Sequence, residues 1–320
     1  MNPEITIGMP VYNEGRYISQ TIESALFQTF GNFQIIISDN NSQDNTYEIC
    51  CSYAKKDSRI KIFRQKKNIG SLENFKFVLE KAHTPYFIYL SGHDLWHPQL
   101  LEKLLDGFKN FSDSDLVLVF PRASWIDGEE IVEEYDTTDI DNPVDRYKFI
   151  VKNLRWCTLF YGLWKTEIIK RLNFQKIIGA DMLILAEASL IGKFKKIKEE
   201  ILFFRRKNYD YVHDNILSIR KQIQNIISQN DKIVGKIRKT LTKDPCSPLF
   251  KFWLSLETLA FIFEHIKMIL RSQKIGVNLK TTEKVHLATW TLFILVGYNL
   301  PIFLNAQFAR IIYKYYKKNK

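Results

Sequence analysis

Over the first hundred residues, short apolar runs alternate with segments of helical periodicity, and three of the runs end in a polar, acid-bearing cluster. Ile5-Thr6-Ile7-Gly8-Met9 leads into Pro10-Val11-Tyr12-Asn13-Glu14. Phe33-Gln34-Ile35-Ile36-Ile37 leads into Ser38-Asp39-Asn40-Asn41-Ser42-Gln43-Asp44, and Tyr86-Phe87-Ile88-Tyr89-Leu90 into Ser91-Gly92-His93-Asp94. Strands alternating with helices predict an α/β fold with a mostly parallel sheet and right-handed crossovers. Ligands of open α/β sheets bind beyond the carboxyl ends of the strands. Three polar strand ends therefore predict one shared site.

The pattern places strands at about 4–9, 33–38, 60–65 and 86–90, with helices at about 15–28, 44–56 and 70–83. Asp44 is positioned to cap the second helix, and Ser71 or a neighbour to open the third. Pro98 opens a helix to about residue 110, a position proline tolerates well. Residues 115–121 read as a buried strand. Residues 122–155 mix acids and aromatics and read as an irregular connection with a turn at Asp127-Gly128. A returning strand is expected at 157–164, a helix from Asp181 to about 191, and a last strand at about 194–205, ending at Arg205-Arg206.

Near residue 215 the composition changes. The chain divides into an α/β domain over 1–215 (a first half of about 1–110 and a second of about 111–215) and a helical, basic extension over 216–320. The net charge of +11 resides mostly in that extension: after His265 there are ten Lys or Arg and one acid, Glu283. Leu287–Leu304 is the most apolar stretch, interrupted by Thr289, Thr291, Asn299 and Pro301. The expectation is a helix that lies on a membrane interface or packs on the protein. The closing run from Arg310 to Lys318 interleaves aromatics with cations, which suits an anionic membrane surface and leaves a solvated basic tail as the alternative. Nucleic acid is not expected as a partner. The four cysteines fit neither a zinc pattern nor a disulfide framework, and no secretory leader is evident, so reduced thiols in the cytoplasm are expected. No P-loop, dinucleotide fingerprint or nucleophile elbow is present.

Taken together, the clusters resemble the family 2 glycosyltransferases, which have the GT-A fold. The resemblance covers residues 4–206. Met9–Glu14 is similar to the family's first strand and nucleotide loop, and Ile36–Asp44 to the second. Asn68-Ile69-Gly70, followed by Asn74-Phe75, resembles a third element near the nucleotide. Ser91–Pro98 stands where the family keeps an acidic metal-binding motif, and Gly179-Ala180-Asp181 where it keeps a catalytic base. The resemblance implies an inverting transferase that moves a sugar from a nucleotide-sugar donor, a UDP-sugar in the first instance, to a glycan or lipid-linked acceptor. It implies a divalent cation, Mn²⁺ or Mg²⁺, on the diphosphate. It also implies work in surface-polysaccharide assembly, at the inner face of the cell membrane.

On this reading Pro10, Tyr12, Glu14, Asp39, Asn68, Asn74, His93 and Arg205 surround the donor. Asp94, His93 and His213 are the metal candidates, and Asp181 is the general base. A carboxylate such as Asp39 can accept a hydrogen bond from a base imide N–H, and the Tyr12 ring can wall the base. The leaving diphosphate gathers negative charge that a cation stabilises. Simpler roles compete. Asp39 and Asp44 can form a turn and a cap, Glu14 can favour a helix N-terminus, and Asn68 and Asn74 can order a loop. Asp181 can cap its helix, and Arg205 can be solvated. Ser91 and His93 occupy the two usual acid positions of the metal motif, so His93 either ligates the metal or donates to phosphate. That departure keeps a catalytically idle nucleotide-sugar-binding protein as an alternative, with a sugar nucleotidyltransferase behind it.

Overall fold

The structure, a computed structural model, describes residues 2–111, 114–131, 134–154, 157–175 and 180–205, with isolated positions between 268 and 288. The fold below belongs to a compact unit of Met1–Arg205 with Arg271–Glu283. The expected boundary near 215, His213 and the stretches 216–240 and 289–320 lie outside the described residues. No helix among the described residues is long and apolar enough to cross a membrane.

The predicted alternation is realised. Strand β1 (Ile5–Val11) is followed by α1 (Ile18–Leu26), β2 (Phe33–Asp39), α2 (Thr46–Ala54), β3 (Ile60–Arg64), α3 (Ser71–Glu80) and β4 (Tyr86–Tyr89). Then come β5 (Leu95–Trp96), α4 (Leu100–Lys109), β6 (Leu116–Trp125), β7 (Glu130–Ile131) and α5 (Pro143–Asn153). The series ends with β8 (Leu163–Lys165), α6 (Thr166–Ile169), α7 (Ala180–Ile191) and β9 (Lys193–Phe204). The sheet order is β3-β2-β1-β4-β8-β6-β9-β5, with β7 beside β6. β3, β2, β1 and β4 are parallel neighbours, as are β6 and β9. β8 runs antiparallel between β4 and β6, and β5 antiparallel to β9.

Side chains alternate across the pleat, so each strand feeds two apolar layers. In β4, Ile88 joins Ile7, Ile22 and Leu104 on the side of α1 and α4. Phe87 and Tyr89 join Val78, Ile150 and Ile184 on the side of α3, α5 and α7. Gly8 in β1 lets the second layer approach closely: a Cβ there would lie 2.5 Å from the Phe87 ring.

Two local expectations are corrected. Residues 122–155 contain a full helix, α5. Asn142 caps it by accepting hydrogen bonds from the N–H groups of Val144 (2.8 Å) and Asp145 (3.2 Å), with Pro143 in the first turn. The 157–164 stretch forms a 3₁₀ turn over Thr158–Tyr161 before the short β8. Asp44 caps α2 as expected: its Oδ1 accepts the N–H of Thr46, the first residue of the helix (3.0 Å), whereas Asn45 between them makes no side-chain capping bond. The turn at Asp127-Gly128 is present, with Gly128 at φ 92°.

Candidate functional site

The loops after β1 and β2 are tied together by side chains. Asn13 and Asn41 take left-handed backbone angles (φ 53° and 61°), which asparagine tolerates better than most residues. The Asn13 N–H donates to Ser42 Oγ (3.0 Å), and Asn13 Oδ1 accepts from the Gln43 N–H (2.9 Å). The Glu14 N–H donates to Thr46 Oγ1 (2.7 Å) and the Gly15 N–H to Asp44 Oδ2 (2.9 Å). Partial burial raises the Asp44 carboxyl, but hydrogen bonds from Thr46 and Gly15 outweigh it and leave the group below its ordinary value. Pro10 pairs in register with Ser38, and Tyr12 stands 40% exposed at the rim.

Asp39 ends β2 and is fully buried. Its Oδ2 accepts from the Ser42 N–H (3.1 Å) and lies 3.4 Å from Arg64 Nε. Its Oδ1 has no hydrogen-bond partner among the described residues. Asn68 and Asn74 both order their surroundings. Asn68 Oδ1 accepts from Asn40 Nδ2 (3.0 Å) and from the Gly70 N–H (2.9 Å). Asn74 is buried against Ser38, accepting from its hydroxyl (2.6 Å) and donating to its carbonyl (2.9 Å).

The end of β4 meets the end of β9. His93 Nδ1 lies 3.1 Å from Oε1 of the buried Glu14. Gly92 permits this approach, because a Cβ there would lie 2.6 Å from Glu14 Cγ. The Arg205 N–H donates to Asp94 Oδ1 (2.9 Å), Arg205 Nε to the His93 carbonyl (3.0 Å), and an Arg205 terminal nitrogen to Gln20 Oε1 (2.9 Å). The same guanidinium sits 4.4 Å over the Tyr17 ring. Burial pushes the Asp94 carboxyl above its ordinary value, against the pull of His93 and of the Arg205 amide. His97 Nδ1 accepts from the Gln99 N–H instead of joining this cluster.

The structure therefore joins Glu14, His93, Asp94 and Arg205 directly, and links them to the Asp39 loop through the Glu14–Thr46 bond. Asp181 lies apart from that network of bonds. It sits in the first turn of α7, half-buried, and its Oδ1 accepts from the Met182 N–H (2.9 Å), a capping contact. Gly179 before it lies outside the described residues. Arg64, Gln20, Tyr17, Ser42 and Thr46 were not singled out from sequence. Arg64 ends a strand as Asp39 does, and that position is the one signal it offered.

Among the described residues no three His, Cys, Asp or Glu side chains form a metal cage. Mg²⁺ and Mn²⁺ at nucleotide sites need only one or two carboxylates beside the phosphates. His93 Nε2 and Asp94 Oδ1 stand 3.9 Å apart. That separation falls between the roughly 3.0 Å of neighbouring and the roughly 4.2 Å of opposite ligands in an octahedron with bonds of about 2.1 Å, so the pair must shift to share one ion. In donor type, an imidazole nitrogen and a carboxylate oxygen, the two side chains suit such a cation.

The sequence model described as glycosyl transferase family 2 matches residues 6–158. An uncharacterized glycosyltransferase of Haemophilus influenzae is 30% identical over 210 residues, covering 63% of this chain and 76% of that protein. The chain belongs to glycosyl transferase family 2. The glycosyltransferase GlyG of Streptococcus pneumoniae is 28% identical over 118 residues, 37% of this chain and 39% of that one. TuaG of Bacillus subtilis, a putative teichuronic acid biosynthesis glycosyltransferase, is 34% identical over 104 residues, 32% of this chain and 41% of that one. The matches thus span less than half the length of these two relatives. The S. aureus TarS 1–349 complex with UDP-GlcNAc superposes with a TM-score of 0.60 at 13% identity, covering 91% of this chain and 72% of TarS 1–349. Its complex with UDP gives 0.53 at 17%, covering 66% and 62%. The family 2 chain described here thus shares the GT-A-like architecture: a mostly parallel sheet flanked by helices.

Proposed function

We propose that this protein transfers a sugar, with inversion, from a UDP-sugar to a hydroxyl group of a surface polysaccharide or its lipid-linked precursor. The observation that carries this reading is the continuous polar floor at the strand ends. The Asp39 loop and the Glu14–His93–Asp94–Arg205 cluster share one hydrogen-bonded loop, residues 12–15. Family membership supports the reaction class. The TarS complexes with UDP and UDP-GlcNAc support the donor, and the putative teichuronic acid role of TuaG supports the acceptor class.

In this reading Asp39 Oδ1 accepts the imide N–H of the base, and Tyr12 and Pro10 wall the ring. Asn68 holds the loops that shape the pocket, and Asn74 fixes the end of β2 against α3. Glu14 orients His93, and Arg205 presents positive charge to the diphosphate. A divalent cation held by Asp94 and His93, with His213 as a further candidate, supplies charge to the leaving group when bound. Asp181 takes the proton of the acceptor hydroxyl as its oxygen attacks the anomeric carbon and the bond from that carbon to the diphosphate oxygen breaks. Attack from the face opposite the leaving group inverts the centre.

Residues 1–110 serve the donor and 111–215 the acceptor, and the basic 216–320 region holds the protein against the inner face of the membrane. Sedimentation of the full chain with anionic vesicles, but not with neutral ones, is the expected result; equal recovery with both removes the membrane role. The transfer itself is tested by UDP-sugar turnover in the presence of Mn²⁺ with a panel of glycan acceptors. Turnover abolished by Asp181→Asn, with UDP binding kept, is expected. Ser91 and His93, at positions where acids stand in the family, favour a second reading: a nucleotide-sugar-binding protein without transfer. UDP binding with no turnover across the panel selects it.

A further inference from the structure

Arg64 ends β3 as Asp39 ends β2, and the parallel register sets the two residues side by side. The guanidinium makes three contacts there. Its Nε faces Asp39 Oδ2 (3.4 Å), a terminal nitrogen donates to the Ser42 carbonyl (3.2 Å), and its centre sits 4.5 Å over the Tyr47 ring. The Gln65 N–H donates to the Asp39 carbonyl (2.9 Å), continuing the pairing beyond the strand. A fully buried carboxylate needs a counter-charge and hydrogen bonds to stay charged. Both compensating groups, Arg64 and the Ser42 N–H, act on the same oxygen, Oδ2. The other oxygen, Oδ1, is the one without a partner among the described residues.

We propose that Arg64 is a positioning residue that sets base selectivity. It holds Asp39 as a charged acceptor, with Oδ2 occupied and Oδ1 kept for the base edge. An ionised carboxylate can only accept. It therefore favours a base with a ring N–H at that edge (uracil or guanine) and disfavours one with a bare ring nitrogen there (cytosine or adenine). Without Arg64 the carboxyl is free to turn, so that Oδ1 is no longer held toward the base edge, and the preference weakens. A buried acceptor facing an acceptor is a strong ground for rejection, because neither group can be satisfied. Arg64 is outside the reacting atoms, and its effect runs through Asp39.

The inference rests on the reading of Asp39 as the base acceptor, and the experiment separates the two. Affinities of the full chain for UDP against CDP, and for GDP against ADP, are measured by calorimetry for wild type, Arg64→Gln, Arg64→Lys and Asp39→Asn, and for Arg64→Gln combined with Asp39→Asn. Wild type should prefer the N–H-bearing partner of the pair it binds. Arg64→Gln should cut that preference about tenfold or more, the scale of one charge-assisted hydrogen bond, and Arg64→Lys should restore part of it. In the Asp39→Asn background the Arg64→Gln effect should vanish. An equal loss of affinity for both partners of a pair, or an Arg64→Gln effect that persists in Asp39→Asn, overturns the inference. A wild type with no preference, or with no nucleotide binding at all, instead overturns the assignment of Asp39 to the base.

Discussion

Asp39 and Glu187 are both buried carboxylates, one at a strand end and one inside helix α7, and their surroundings differ in kind. Asp39 has a guanidinium and a backbone amide on one oxygen. Glu187, 4% exposed, accepts the Asn173 N–H (2.7 Å), and no cation pairs with it among the described residues. Burial pushes its carboxyl up to about 7, although the Asn173 amide pulls the other way. At Asp39, then, the fold brings a cation to the acid, whereas in the α5–α7 layer it leaves an acid to take up a proton. The difference teaches that a buried acid is by itself a poor marker of a site. Its partners, and the oxygen they leave over, are more informative.

The largest effect that bears on this contrast is expected at Asp181, on the same helix as Glu187. Asp181→Asn should lower transfer about 10²- to 10⁴-fold, the range of a general base, with UDP affinity unchanged. Turnover close to wild type would leave α7 with no chemical role and make Asp181 the helix cap that its bond to Met182 describes.

Next in size is the stability change at Glu187. Its folded-state value lies above the ordinary 4.5, so the folded protein binds the proton more tightly than the unfolded chain. Stability therefore falls as pH rises from about 4.5 to 7, and the cost is complete above that range. The shift corresponds to about 3 kcal/mol. Glu187→Gln should raise unfolding free energy at pH 8 by up to that amount and flatten the pH dependence, as read by denaturant titration at pH 5 and 8. Parallel profiles for the two proteins would show that Glu187 is compensated after all, and the contrast with Asp39 would fail.

The smallest effect is expected at Asp94→Asn, which keeps an oxygen for the Arg205 N–H and loses the charge. UDP affinity measured with Mn²⁺ should drop about tenfold, the scale of one charge-assisted bond, with thermal stability little changed. Loss of folding instead of affinity would class Asp94 as a structural acid.

The first half of the molecule was legible because its signals are local. Apolar runs of strand length, polar clusters and helical spacing mark β1 to α3 within a few residues of their ends. Helix α5 was missed because its start depends on the Asn142 cap and Pro143, set among acids and aromatics that read as a loop. The 158–161 turn was taken for strand because both share the same apolar residues. At the site, each cluster could be found along the chain, but not how the clusters meet. Glu14 against His93, and Arg205 against Asp94, are contacts that only the sheet order creates. Arg64 escaped notice because its meaning lies in the register between β2 and β3. Asn68 and Asn74 could be read either for a ligand or for a loop; Asn68 bonds within the loops, whereas Asn74 ties helix α3 to strand β2.

The stitches of the two site regions differ in their reach along the chain. Those between the first two loops join residues 29 to 32 positions apart, whereas Arg205 reaches back 111 positions to Asp94 and 185 to Gln20. Domains assemble from the N-terminus during synthesis, and contacts of short separation close first. On the ribosome, the Asp39 corner can be finished once Asn74 has emerged, while the Asp94 corner waits for the end of β9. A stalled or prematurely terminated polypeptide would carry the first corner without the second.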